Sequence, residues 1–223
     1  MPTTVFQIPL WAELAAAALG GLQGALFAAT RADRRIDLLG VIVVGLAVAL
    51  GGSLLRDIVL NQPPVVVWMN AYLIAAGAAA MAGMLLHPLV ARVDPLITVL
   101  DAVVMGLFGA IATTKALSLG VGEVGALAVG VIGAIGGGLL RDLLLALPVS
   151  FLQVGTLYAV AAAAGSSILV LTVRLGTPVV VAALIGAGVT VVVRLAAVVF
   201  GWRFPEAGRL RLRSRPRPTD GTD

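Results

Sequence analysis

Long uncharged runs, separated by short charged or proline-bearing turns, set the pattern of this chain. Leu38 to Leu55 and Val65 to Ala91 contain no Asp, Glu, Lys or Arg, and a helix needs about 20 apolar residues to cross the hydrocarbon core of a bilayer. Seven such segments follow in order, at about Leu10 to Thr30, Leu38 to Asp57, Val65 to Ala91, Leu96 to Leu117, Glu123 to Leu145, Phe151 to Arg174 and Pro178 to Phe200. The turns between them carry clear signals: Arg31, Asp33, Arg34, Arg35 and Asp37, then Asn61-Gln62-Pro63-Pro64, then Arg92, Asp94 and Pro95, then Pro148. Such turns end helices. The pattern predicts an all-α integral membrane protein with seven transmembrane helices in one membrane domain, residues 1–202.

Composition agrees with that class. Of 223 residues, 60% are hydrophobic and 12% charged, and the mean hydropathy is +1.09. There are 27 glycines and few aromatics, so the helices are expected to pack through small side chains. With no Cys, one His and no acid or His cluster at ligand or nucleophile–base spacing, an enzyme is a poor reading, and neither cofactor nor bound metal is expected. The start, Met1 to Leu10, has no Lys or Arg and so lacks the basic region of a secretory signal; the first helix is expected to be retained.

The high pI, about 10.6, does not point to nucleic acid. Six arginines follow Trp202 with a single aromatic, Phe204, among them, too few for a stacking platform, and the stretch reads as a disordered cytoplasmic tail, residues 203–223, lying near anionic membrane lipid. With seven crossings the N-terminus is then outside. Arg31, Arg34, Arg35 and Arg92 fall inside with the tail, while Lys115 and Arg174 fall outside, as expected for a multi-pass protein of the cell (inner) membrane.

A motif occurs twice near the ends of the second and fifth segments. Gly51-Gly52-Ser53-Leu54-Leu55-Arg56-Asp57 returns as Gly136-Gly137-Gly138-Leu139-Leu140-Arg141-Asp142, an offset of 85 (141 − 56). The same offset pairs Gly21 with Gly106, Gly24 with Gly109, Gly40 with Gly125, Gly45 with Gly130 and Pro63 with Pro148, a density of coincidences that marks an internal repeat. Three helices per copy is an odd number, so the second copy must insert upside down. The expected plan is two inverted three-helix repeats, at about 10–92 and 95–174, plus a seventh helix at about 178–200, a plan used by transporters and channels.

The glycines let each helix unwind near the bilayer centre, where freed carbonyls could coordinate a cation and helix N-termini an anion. Alternatively they only allow the two helices to cross closely. Arg and Asp at membrane depth need partners or a polar cavity. Because adjacent helical residues do not face each other, Arg56 is expected to pair with Glu13 and Arg141 with Asp101; the bland alternative has both arginines snorkel to the interface. Lys115 reads either as an interfacial anchor or as a gating charge. Arg194 lies deeper in its helix, and reads either as a second gating candidate or as a snorkelling side chain.

These residues carry a resemblance. The doubled motif, each copy followed by Pro, together with Arg34-Arg35-Ile36-Asp37-Leu38-Leu39-Gly40 and Asp101-Ala102-Val103-Val104-Met105-Gly106-Leu107, resembles the bacterial TRIC (trimeric intracellular cation) channel family over about residues 10 to 200. That family overlaps proteins described as glycine transporters. The resemblance implies a homotrimer in which each subunit has its own pore for monovalent cations, K+ above Na+. The kinks would fall at Gly51, Gly52, Ser53, Gly136, Gly137 and Gly138, and Lys115 would match a basic gating residue. Ser53 departs from the third Gly usual in the first copy, keeping the side chain small but stiffening that break. The competing expectation is a secondary transporter of a small amino acid such as glycine.

Overall fold

The computed structural model describes residues 8–30, 36–90, 94–152 and 157–202. The arginines of the first charged turn (31, 34 and 35), Arg92 and the basic tail 203–223 lie outside the described residues. Seven long helices are present among them: α1 (Leu10–Thr30), α2 (Leu38–Val59), α3 (Asn70–Val90), α4 (Asp94–Ser118), α5 (Glu123–Leu144), α6 (Tyr158–Arg174) and α7 (Val179–Val199). All except α6 have the length and apolarity to cross a membrane.

Local chemistry sets the helix ends. Asp37 caps α2, its carboxylate accepting from Gly40 N at 2.7 Å. Helices α2 and α5 close with the same turn, 85 residues apart. Gln62 N donates to Asp57 O and Leu147 N to Asp142 O, both at 2.8 Å, and Asn61 and Ala146 take left-handed φ of 51° and 46°. This is the hydrogen-bond pattern of a Schellman ending, which satisfies carbonyls that the helix leaves unpaired.

Two boundaries differ from the sequence reading. Val65 to Ala91 does not form one helix: Val65–Trp68 make a single turn, Met69 is extended (φ −120°, ψ 104°), and α3 begins at Asn70. Likewise the sixth segment does not start at Phe151, since Ser150–Leu152 form a 3-10 turn and α6 starts at Tyr158 after a left-handed Leu157. The cause is the same in both places. Val65 N donates to Asp57 Oδ2 at 3.1 Å and Ser150 N to Asp142 Oδ2 at 2.8 Å, so the aspartate of each motif anchors the start of a short turn and separates it from the helix that follows. At 17 residues α6 is about 26 Å long, short of the ~30 Å hydrocarbon core.

The bundle is built outward from the contact of α2 with α5. Helix α1 packs on α2 and α3, α4 packs on α5, and α7 lies against α4 and α6. The α2–α5 crossing is made by glycines. A Cβ on Gly51 would come within 3.3 Å of Gly137 Cα, one on Gly136 within 3.0 Å of Gly52 Cα, and one on Gly137 within 2.5 Å of the Val48 carbonyl oxygen. The contacts are reciprocal under the 85-residue offset: Leu140 reaches Gly51 as Leu55 reaches Gly136. Contacts move down α5 as they move up α2, so the two helices run antiparallel and their Arg–Asp ends point away from each other.

Here the expectation of unwound backbone is corrected. Both helices run unbroken through Gly51, Gly52 and Ser53 and through Gly136, Gly137 and Gly138. Without water, every opened N–H and C=O would be left unpaired, and the missing side chains serve close approach instead. Gly137→Ala should therefore force the backbones apart and lower stability by ~1–3 kcal/mol. Gly77→Ala in α3, where an added Cβ meets nothing within 4 Å, should be neutral or mildly stabilising. Reversible unfolding of both variants in mixed micelles checks the contrast.

Candidate functional site

The two arginines of the motif do not reach the interface. Arg56 and Arg141 are 1% and 2% exposed, which excludes snorkelling, and each sits in a cluster of charges. In the first, Arg56 Nε donates to Asp57 Oδ1 at 2.7 Å and its Nη1 lies 3.5 Å from Glu13 Oε1. Tyr72 donates its hydroxyl hydrogen bond to Glu13, and Lys115 Nζ donates to Asp57 Oδ1 at 2.8 Å. In the second, Arg141 Nε donates to Asp142 Oδ1 at 2.9 Å and its Nη1 to Asp101 Oδ1 at 3.0 Å. Tyr158 Oη and Gln23 Nε2 also donate to Asp101, at 3.3 and 3.2 Å, and Arg194 Nη2 lies 3.9 Å from its other oxygen.

Each arginine thus holds a partner on another helix, Glu13 or Asp101. The expectation that the neighbouring aspartate would be out of reach is corrected: the guanidinium folds back so that Nε meets the next residue's carboxylate, a route that backbone spacing alone does not reveal. The anchoring of Asp57 and Asp142 by a turn N–H and a guanidinium fixes both carboxylates. Lys115 is more than an interfacial anchor, since its ammonium reaches a fully buried Asp57. Each cluster balances two acids against two bases.

Helix geometry explains why these residues meet. Glu13 and Asp101 are 88 residues apart rather than 85, a displacement of about one helical turn along α1 and α4. The position 85 residues before Lys115 is Thr30, whose hydroxyl donates to Phe27 O at 2.8 Å. The second cation of the second cluster comes instead from outside the repeat, as Arg194 on α7. Aromatic faces cover both guanidinium groups of the second cluster: that of Arg141 lies 4.0 Å from the Phe27 ring centroid and that of Arg194 lies 4.8 Å from Tyr158, placements that favour a cation.

Sequence reasoning missed Tyr72, Tyr158, Gln23 and Phe27. A signal existed for the first two, because they are the only tyrosines in the chain and sit 86 residues apart. Gln23 is a buried amide in a helix whose other polar side chains, Glu13 and Thr30, lie near its ends; Phe27 has no sequence mark that separates it from packing residues.

Each cluster borders a cavity, one on each side of the glycine crossing. Glu13, Ser53, Arg56, Tyr72 and Phe108 line a space of about 10 Å³, room for about one water. Asp101, Arg141, Tyr158, Arg194, Thr98 and Phe27 line one of about 120 Å³.

The family model described as Glycine transporter matches residues 10–88 and 98–174. The chain belongs to that family. Among its relatives, the UPF0126 inner membrane protein YadS of Escherichia coli K12 is 30% identical over 199 residues, 87% of this chain and 94% of that one. The UPF0126 membrane protein of Deinococcus radiodurans is 31% identical over 158 residues, covering 70% and 72%. In three dimensions the chain is similar to TRIC cation channels. One such structure, solved to explain conductance, aligns with TM-score 0.77 and 28% identity over 86% of this chain and 95% of that chain. The TRIC trimeric intracellular cation channel orthologue from Rhodobacter sphaeroides gives TM-score 0.76 and 28% identity over 86% and 98%. This member of the glycine transporter family is therefore a multi-pass helical membrane protein with the architecture of TRIC channels.

Removing one charge should expose how closely the clusters are balanced. Asp101→Asn leaves Arg141 and Arg194 buried without a carboxylate between them, and should cost ~3–5 kcal/mol of folding stability. The paired reversal Asp101→Arg with Arg141→Asp should not restore it, because Arg194, Tyr158 and Gln23 would then face a guanidinium. Denaturation of the two variants, beside the unmodified protein, in mixed micelles measures both outcomes.

Proposed function

We propose that the chain is a membrane channel for monovalent cations, mainly K+, with a path in each subunit between α2 and α5. The observation that carries this reading is the glycine crossing with a charged, tyrosine-bearing cavity on either side of it. A path through the subunit needs polar surface on both sides of the bilayer centre and a barrier able to part, and two smooth helix faces touching through Gly51, Gly52, Gly136 and Gly137 can separate or bend without tearing interlocked side chains. Ser53 and Gly138 would line the widened passage. Glu13 and Asp101 would meet the ion, while Lys115 and Arg194, each held by a carboxylate, would shift as gating charges. The likeness to TRIC cation channels supports the same reading.

On this reading the antiparallel pair α2 and α5 relates two inverted copies across the membrane, α6 with the Ser150–Leu152 turn makes the sixth crossing, and α7 is the added seventh helix. The N-terminus then lies outside and the C-terminal tail in the cytoplasm of a cell with the protein in its inner membrane. By analogy with the trimeric orthologue, three subunits assemble, each with its own path.

A second reading, secondary transport of glycine, is favoured by one feature of the clusters: both offer a carboxylate for an ammonium group and a guanidinium for a carboxylate. Purified protein in a planar bilayer separates the two. A channel gives unitary currents whose reversal potential follows the potassium gradient and ignores a glycine gradient. Saturable glycine uptake into proteoliposomes, without unitary currents, would instead establish the transporter.

A further inference from the structure

A third cavity has none of the cluster charges in its wall and shares only Ile111 with the cavity at Glu13. It occupies about 190 Å³ between the first turns of α1, the last turns of α4 and the first turns of α7, with walls that include Trp11, Ala15, Ile111, Ala183 and Leu184. The lining is apolar except for one group, Thr114. That threonine is 3% exposed and its hydroxyl has no hydrogen-bond partner. Other helical threonines behave differently. Thr113, Thr172 and Thr190 each donate to the carbonyl four residues earlier, at 2.8, 2.8 and 3.1 Å, the usual way a helical threonine is satisfied in an apolar medium.

An unpaired hydroxyl in an apolar pocket forgoes the hydrogen bond it would make in water, so its complement is an apolar molecule carrying one acceptor. Depth narrows the choice. Thr114 is four residues, about 6 Å along the axis, from the end of α4 at Ser118, and Trp11, at 73% exposed, stands in the first turn of α1, where aromatic side chains mark the membrane interface. The ester carbonyls of a glycerolipid lie just below that level. We propose that this cavity is a binding site for a membrane glycerolipid, with one acyl chain between α1, α4 and α7 and an ester carbonyl accepting from the Thr114 hydroxyl. The occupant would bear on α4 one residue from Lys115, whose ammonium holds Asp57.

The test compares diacyl phosphatidylglycerol with its dialkyl-ether analogue, which lacks the ester carbonyls, by native mass spectrometry of the full-length protein after delipidation. Wild type should retain the diacyl lipid about fivefold better, the worth of one hydrogen bond of ~1 kcal/mol. Thr114→Val, which keeps the shape, should abolish that preference, and Ala183→Trp, which fills the cavity, should lower retention of both lipids. Equal retention of the two lipids by wild type, or an ester preference that survives Thr114→Val, would overturn the proposal. So would unchanged lipid retention in Ala183→Trp accompanied by loss of the oligomer, which would mark the cavity as a contact between copies of the chain.

Discussion

Charge inside a bilayer is the constraint on which this structure depends. Arg56, Asp57, Arg141 and Asp142 are all buried within long apolar helices, where an uncompensated charge is costly. The fold answers with a local device used twice. The arginine turns back to the next aspartate, the aspartate anchors the backbone of the following short turn, and an acid and a tyrosine from other helices close the set. The positions of α1, α3, α4 and α6 follow from that requirement, because each delivers a side chain to one of the two clusters.

The copies are alike at the backbone and different at the rim. The helix endings, the carboxylate-to-turn hydrogen bonds and the glycine contacts repeat at the offset of 85 with matching geometry. The added cations do not. Lys115 crosses from the second copy to Asp57 in the first, the equivalent position in the first copy is Thr30, and α7 supplies Arg194 in compensation. Electrical balance thus gives α7 a role that packing alone would not, and makes the two sides of the crossing inequivalent in volume and in charge placement.

Much of this was legible in the chain. Hydropathy located the seven helical segments, and the Gly and Pro coincidences located the repeat, because both are periodic features that leave a trace at fixed spacing. The pairings of Arg56 with Glu13 and Arg141 with Asp101 could be anticipated from depth, since few acids share a level with each arginine. Three things could not be read. Arg56 and Arg141 reach the adjacent aspartates through rotamers, which spacing rules for backbone positions do not describe. The late starts of the third and sixth helices accompany the capture of Val65 and Ser150 by Asp57 and Asp142 eight residues earlier. The glycine runs suggested unwinding, whereas Gly52 and Gly137 are spent on helix contact, a choice decided by the partner surface and invisible in either helix alone.

The proposed arrangement uses one folding unit twice, in opposite orientations, about the glycine crossing. Asn61 and Ala146 occupy the same left-handed position in the two helix endings, both exposed, and the chain has no native cysteine. A membrane-impermeant thiol reagent applied to intact cells and to inverted vesicles tests the claim on Asn61→Cys and Ala146→Cys. The account predicts that Asn61→Cys reacts only from outside and Ala146→Cys only from the cytoplasmic side; labelling of both variants from the same face would contradict it.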